Sequence, residues 1–464
     1  MSGVPGKLPK PDVVAQALIE RGLPEGESEA KAALLGRCAA ALSDAGVRGT
    51  CDLRALVVPG RIEVLGKHTD YAGGRSVLAA TERGFCIIVS PRRDSTVRMI
   101  DVVRRVGVEF EIHPHLVPGP DWTNYPMTVA RRVARNFTGP LVGAEIAFGS
   151  DLPADSGLSS SSALITATFL ALSHANRLPD RPEYRQHIDS LERLGEYLGT
   201  CENGQSFGPL AGDKGVGTFG GSEDHTAILC SKAGTLSVYS FCPVRPERTL
   251  PMPAGMVFAV AFSGITANKT GSAREQYNRA SRLASAAAEQ WRRATGRAEP
   301  HLASIIASSP DARDRLRAAL NGGDASDCRN ADLLRRSEQF IVENEEIIPA
   351  AVDALAAGDL DAFARQVSRS QQYAISHLGN QVPETIFLAR SARDAGAAAA
   401  SVFGAGFGGS VWAMVGSDSA SEFLREWRAI YRVQFPSAAD RAEFFITGAG
   451  PGTISIEPED GMTG

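Results

Sequence analysis

Seven cysteines are spread over 464 residues and no two lie closer than twelve positions, so the chain lacks any C-x-x-C pair for zinc or redox chemistry. Their odd number argues against a closed set of disulfides, and a reducing, cytoplasmic setting is expected. Positive charge is not in excess either. Lys and Arg number 48 against 53 Asp and Glu, a net −5 that offers no overall basic field to nucleic acid or an acidic membrane face. Nucleic-acid and membrane partners are therefore not expected, nothing implies an obligate protein partner, and any anionic ligand must be held locally. Long runs of large apolar side chains are missing. The extended uncharged stretch at residues 395–416 is mostly Ala and Gly and reads as a buried glycine loop between strands. Prolines and lysines within residues 1–10 take the place of a signal peptide's apolar core, so export is not expected. Neither G-x-S-x-G nor H-E-x-x-H occurs, which removes two common hydrolase signatures.

What is present is an ordinary globular composition, 43% hydrophobic and 22% charged, in a chain long enough for two domains. Residues 1–50 carry helical periodicity and read as a helical extension without recognisable chemistry. Short β-rich runs follow at Leu53–Val58, Gly84–Ser90, Thr96–Val102 and Val106–Ile112. Helical runs at Met127–Phe137, Ser160–Asn176 and Ile188–Leu198 come next, with a strand at Ala144–Phe148. A hairpin is expected from Thr226–Cys230, a turn at 232–234 and Thr235–Phe241. The proline cluster Pro243, Pro246, Pro251 and Pro253 places a boundary near residue 250, giving expected domains of 51–250 and 251–464. Beyond it helices dominate (Ser272–Thr295, Asp311–Asn321, Asp332–Glu345, Ile347–Ala357, Leu360–Leu378, Pro383–Ala395) before two strands, Ala397–Phe403 and Ser410–Val415. The expected class is α+β, in two lobes.

Four segments concentrate chemistry. From Pro59 to Gly74, Arg61, Lys67, His68, Asp70 and Tyr71 crowd between glycines. This nearly spells a phosphate-binding P-loop, but the glycine spacing is one residue too long and His68 stands where the metal-binding Ser or Thr belongs. A solvated loop in which Asp70 caps a turn is the plain alternative. From Asp151 to Ala163, Gly157 and the serines 159–162 sit at the start of an apolar helix. Free amides and the helix dipole suit a phosphate there, and the hydroxyls can reach a metal bound to it. Simple capping would need one serine. Residues 403–411 match G-x-G-x-x-G, yet a strand follows instead of a helix, which disfavours dinucleotide binding, and the lack of any lysine after Lys269 excludes a protein kinase. The alternative is a tight hairpin packing backbone against another loop. Finally, Glu202 precedes a glycine-rich run that delivers Glu223, Asp224 and His225. Asp224 suits a general base and Glu202 a metal ligand, although caps and surface charges are the commoner fate of single acids.

Taken in order, Gly60–Tyr71, Gly157–Ser161 and Gly404–Gly409 resemble the three motifs of the GHMP small-molecule kinases, and the first is similar to the galactokinase signature. The resemblance runs from about Leu53 to Val415. It implies a two-lobed GHMP kinase fold, with an N-terminal lobe like the ribosomal protein S5 domain and a ferredoxin-like C-terminal lobe. It also implies ATP and a monosaccharide between the lobes, with the γ-phosphate passing to the anomeric hydroxyl to give a sugar 1-phosphate and ADP. Under the same resemblance Arg61 and Asp224 are catalytic, and Lys67, His68, Asp70 and Gly221 face the sugar. Gly157, Leu158, Ser159, Ser160 and Ser161 cradle ATP, and Ser161 and Glu202 hold Mg²⁺ within metal-ligand reach of one another.

Two positions depart from the galactokinase pattern. Lys67 stands where those enzymes carry a glutamate that accepts a hydrogen bond from the sugar, and lysine can only donate. Thr266–Tyr277 resembles the start of their C-terminal lobe, but the tyrosine they place in the sugar pocket before Arg274-Glu275-Gln276 has no counterpart. A uronic acid or another aldose is thus an alternative acceptor. A non-catalytic sugar and ATP sensor is a further alternative, against which the joint presence of Arg61, Asp224, Glu202 and the serines argues.

Overall fold

The computed structural model describes residues 10–47, 52–153, 156–266, 271–321 and 328–457, with backbone alone at 271–274 and 328–329. Residues 1–9 and 48–50 of the expected extension, and 267–270 of the Thr266–Tyr277 segment, lie outside the described residues. Among the described residues the strands form two sheets. The first contains β1 (Arg54–Leu65), β2 (Arg75–Pro91), β3 (Thr96–Asp101), β4 (Val106–Glu111), β5 (Ala144–Ser150), β6 (Thr235–Ser240) and β7 (Arg245–Pro251). The second contains β8 (Met256–Phe262), β9 (Ala399–Val402), β10 (Ser410–Gly416) and β11 (Glu443–Thr447) in the antiparallel order β11-β8-β10-β9. The last strand, β12 (Ile454–Ile456), returns to the first sheet and pairs with β1, giving the order β12-β1-β2-β5-β3-β4 with β6 and β7 off the other stretch of β2. The end of the chain thus closes the lobe in which the sheets begin.

Strand periodicity explains the unbroken apolar runs. Leu56 and Val58 of β1, Phe85 and Ile87 of β2, and Ile146 and Phe148 of β5 face the main core, while Ala55, Val57, Cys86, Ile88 and Ala147 face the opposite side. On that opposite side lie α1 (Pro11–Glu20) and α2 (Glu25–Asp44), which bury Val14, Leu18, Leu34, Leu35 and Leu42. The main core is closed by α3 (Asn124–Asn136) and α4 (Ser160–Asn176). The short α5 (Pro182–His187), α6 (Leu191–Asn203) and α7 (Glu223–Cys230) complete this lobe.

In the second lobe, helices α8 (Gly271–Thr295), α9 (Leu302–Ile306), α10 (Ala312–Asn321) and α11 (Cys328–Ile341) form one cluster around Trp291 and Phe340. They are followed by α12 (Ile348–Ala356), α13 (Leu360–Tyr373), α14 (Pro383–Asp394) and α15 (Ala420–Gln434). One face of the second sheet, including Phe258, Val260 and Trp412, joins the same cluster as the first sheet's core, so the lobes share packed interior. The other face packs Ala259, Ala261 and Val411 against Leu388, Phe423 and Trp427. Of the described residues, no helix is long and apolar enough to cross a membrane. The 395–416 stretch is strand, glycine loop and strand, as its composition suggests.

Three expected elements are corrected. Thr226–Cys230 is the end of a helix, not one arm of a hairpin. Its short apolar run is ambiguous, and the deciding signal was the acidic first turn, Glu223-Asp224, which favours a helix N-terminus. Residues 59–65 are strand instead of loop, since β1 continues past Pro59 with irregular register at Pro59/Arg61 and Glu63/Leu65. The helix expected to end at Glu345 passes at Val342 into a π-helical turn, Val342–Ile347.

Candidate active site

The three motifs converge on a cavity of about 870 Å³ lined by residues of β1, the turn after it, the start of α4, the start of α7 and the 403–409 loop. On β1, Ile62 and Val64 enter the core while Arg61 and Glu63, two apart, emerge on the other face and line the cavity. Arg61 Nε donates to Asp224 Oδ1 at 2.7 Å and Arg61 Nη1 donates to Gly157 O at 2.8 Å. One guanidinium therefore links all but the third motif. Gly404 lies against it: a Cβ there would come 2.9 Å from Gly157 O and 3.5 Å from Arg61 Nη2. Burial works against the charge on Arg61, but Asp224, Glu223 and Glu63 outweigh it and raise the pKa, so Arg61 stays cationic.

The same surroundings act on the acids. Glu63 is pushed up to about 7, chiefly by burial, with Arg61 and Lys67 opposing. Asp70 is pushed up to about 6 for the same reason, although it accepts from the Tyr71 and Glu223 amides. Glu223 is raised well above the carboxylate range by burial and then by Glu63 and Asp70. Asp224 itself is the second residue of α7, where the helix's positive end favours an anion.

The serine motif leaves a helix start open toward the cavity. Ser159 at the N-cap of α4 is left-handed (φ 59°) and makes no side-chain cap, so the first-turn amides are not closed off by it. Gly157, Ser159, Ser160 and Ser161 line the cavity. Leu158 does not: its side chain is fully buried in the core, and its carbonyl accepts from the Arg61 amide at 3.3 Å. An apolar side chain at that position plugs the loop to the core and leaves its backbone as the part that could meet a phosphate. Ser161 and Glu202 line one cavity, and it is the neighbouring hydroxyl, Ser162 Oγ, that lies 2.8 Å from Glu202 Oε2 and 3.2 Å from Asp224 Oδ2. His225 Nε2 holds the same Glu202 oxygen at 3.0 Å. No group of three or more His, Cys, Asp or Glu among the described residues is arranged for a metal. Glu202 with serine hydroxyls is an all-oxygen set of the kind Mg²⁺ uses when phosphates supply the remaining ligands.

The residues expected to face a sugar separate into three kinds. Gly221 and Asp70 line the cavity together, and a Cβ at Gly221 would sit 2.4 Å from Asp70 Oδ2, so only glycine lets that carboxylate seat there. His68 also lines it, but both ring nitrogens are engaged: Nδ1 with Tyr71 Oη at 2.9 Å and Nε2 with Ala405 O at 3.1 Å. A carbonyl only accepts, so Nε2 carries the proton and Nδ1 takes the tyrosine's. Burial, with Arg336 nearby, lowers the His68 pKa to about 4 and keeps the ring neutral. Lys67 is the correction. It is 1% exposed and does not line the cavity; Nζ donates to Ser370 Oγ at 2.9 Å, which donates to Glu343 Oε1 at 2.9 Å. The π-helical turn presents that glutamate, whose Oε1 also accepts from the Gly66 amide, and Gln339 and Arg336 of α11 bind the Lys67 and His68 carbonyls. The second lobe thus pulls the lysine out of the pocket.

Tyr277, Glu63, Glu223 and Ser162 were not assigned to the site from the sequence. Tyr277 lines the cavity with its ring 5.6 Å from that of His68, and its hydroxyl would be 2.7 Å from a Cβ at Gly220. The pocket therefore does hold a tyrosine, supplied just after Arg274-Glu275-Gln276 instead of before. Helical phase along α8 was the usable signal for it, and phase along α4 was the signal for Ser162.

Residues 124–207 match the family model of the GHMP kinases N terminal domain, residues 351–433 that of GHMP kinases C terminal, and residues 52–91 that of the galactokinase galactose-binding signature. A galactokinase of Chloroflexus aggregans (strain MD-66 / DSM 9485) is 29% identical over 382 residues, 81% of this chain and 87% of that protein. One of Chloroflexus aurantiacus is 28% identical over 373 residues, 79% and 85% of the two chains. The solved Lactococcus lactis galactokinase complexed with galactose shares the fold, with a TM-score of 0.72 at 22% identity over 90% of this chain and 99% of that one.

Proposed function

The chain belongs to the GHMP kinases, and from that premise we propose that it is an ATP-dependent, galactokinase-like sugar 1-kinase whose acceptor is galactose or a closely similar neutral aldose. The observation that carries the reading is the Arg61–Asp224 pair, held at 2.7 Å in a cavity that also contains an uncapped helix start and a glycine loop. Asp224 takes the proton of the anomeric hydroxyl as that oxygen bonds to the γ-phosphorus and the bond to the bridging oxygen of ADP breaks. Arg61 keeps Asp224 ionised and neutralises charge on the transferring group, the positioning and electrostatic help that phosphoryl transfer needs. The α4 amides with Gly157, Ser159, Ser160 and Ser161 hold the nucleotide phosphates. Glu202 and Ser161, with Ser162 beside them, would hold Mg²⁺, which would neutralise negative charge on the nucleotide phosphates. Asp70, Gly221 and Tyr277 orient the sugar hydroxyls. Residues 51–250 and 251–464 act as the two kinase domains, with β12 of the second returning to the sheet of the first, and the cysteine usage supports a cytoplasmic setting.

The acids around the site favour an uncharged acceptor. With Lys67 withdrawn and Arg61 already paired with Asp224, a uronic acid loses the support its sequence position lent it. A panel of monosaccharides assayed for ADP release tests the reading. Galactose or a neutral epimer should turn over, and no ADP release with any aldose would overturn it.

A further inference from the structure

Helix α2 lies on the face of the first sheet away from the cavity, and its residues 34, 35, 38 and 42 are apolar core. Lys31 in the same helix is fully buried. An ammonium withdrawn from water is costly unless paired, and its charge is met by Asp151 Oδ2, 120 positions away. Asp151 is where β5 ends and the serine motif begins. Its other oxygen accepts from the Gly84 amide at 2.7 Å, and its own amide donates to Gly84 O at 3.3 Å. Gly84 is opposite Pro59 in the β1–β2 ladder, two residues before Arg61. Asp151 therefore ties together the roots of the first two motifs, and Lys31 sets where its carboxylate points.

The same helix has a second hold. Arg37 Nη2 donates to Val102 O at 2.8 Å, next to Asp101, Val103 and Arg104 of the cavity wall. We propose that Lys31 is a positioning residue for nucleotide binding, acting through Asp151 on the serine motif. This gives the N-terminal helices a part in the kinase site, and it rests on the reading of that motif as the phosphate cradle.

The test is calorimetric titration with the magnesium complex of a non-hydrolysable ATP analogue, alongside steady-state kinetics. Lys31→Met and Asp151→Asn should each weaken analogue binding at least fivefold and raise the KM for ATP in step, leaving the KM for the sugar within twofold. The double variant should be no worse than the weaker single, because both changes break one link. Lys31→Arg should restore binding to within twofold, and amide exchange in residues 156–162 should quicken in Lys31→Met alone of these two lysine variants. Unchanged analogue affinity in Asp151→Asn, or losses that add in the double variant, would overturn the proposal. Asp151 is one-third exposed, so Asp151→Asn decides the matter if Lys31→Met does not fold. If the wild-type chain binds the analogue but phosphorylates no sugar, the functional reading fails and the role of Lys31 is still measured by the titration.

Discussion

Two buried cations sit six residues apart on the segment from Pro59 to Gly74, and their fates differ. Arg61 reaches the cavity and is bonded to Asp224; Lys67 is carried away from it to Ser370 and the π-helical turn. Chemical type does not separate them, since both are desolvated and both face acids. Backbone position does. Arg61 alternates with core residues on a strand, so its side chain must leave on the cavity face, whereas Lys67 follows Gly66, whose φ of 111° turns the chain toward the second lobe. A charge in a motif thus reaches the cavity or is spent inside the fold according to the face on which its backbone delivers it.

The comparison is sharpest at the pair itself. Asp224→Asn should lower kcat about 10²- to 10⁴-fold, the range for loss of a positioned base, with analogue affinity little changed in calorimetry. Activity within tenfold of wild type would remove Asp224 from the chemistry. At the other end of the segment, Lys67→Met should cost about 3 kcal/mol of stability, because Glu63 and Glu343 lose the cation beside them. Denaturant melts read that cost, and the ratio of kcat/KM for galactose over galacturonic acid should stay put. A changed ratio would return Lys67 to the pocket.

A smaller effect tests the seat of Asp70. Gly221→Ala places a methyl against its carboxylate and should raise the sugar KM about tenfold, equivalent to about 1.4 kcal/mol, without raising that for ATP. The smallest effect concerns pH. The Glu63 pKa rises on folding from 4.5 to about 7, so the folded state holds the proton more tightly. Its contribution to stability is complete below pH 4.5 and is lost as pH climbs toward 7. Glu63→Gln lacks that term, so its melting temperature should gain on wild type between pH 5 and pH 8. A constant difference between the two would show that Glu63 ionises normally.

Much of the fold was legible because its signals are local. The helices from Ser272 to Ala395 follow their apolar periodicity, and strands at 144–148 and 410–415 lie within those observed. Elements without such signals were missed: the first half of β2, β7 within the proline cluster, and everything after Gly416. The first half of β2 has only the short apolar run Val77–Ala80 between polar residues, and its pairing with β6 across some 160 residues is invisible along the chain. At the site, Arg61, Asp224, Glu202 and the serines were legible because each belongs to a dense local motif. Tyr277 was not, since a lone residue on a helix declares its face only when the helix is docked.

The sequence alone determined the α+β class, the order of the three loops and the residue types available for phosphoryl transfer, for those depend on short-range pattern and chemistry. Only the tertiary structure decided which of those side chains meet. It paired Arg61 with Asp224 across 163 positions, drew Lys67 to the second lobe and seated Lys31 under the serine motif. Charges in a low-dielectric interior are governed by neighbours within a few ångströms, and those neighbours are distant in the chain.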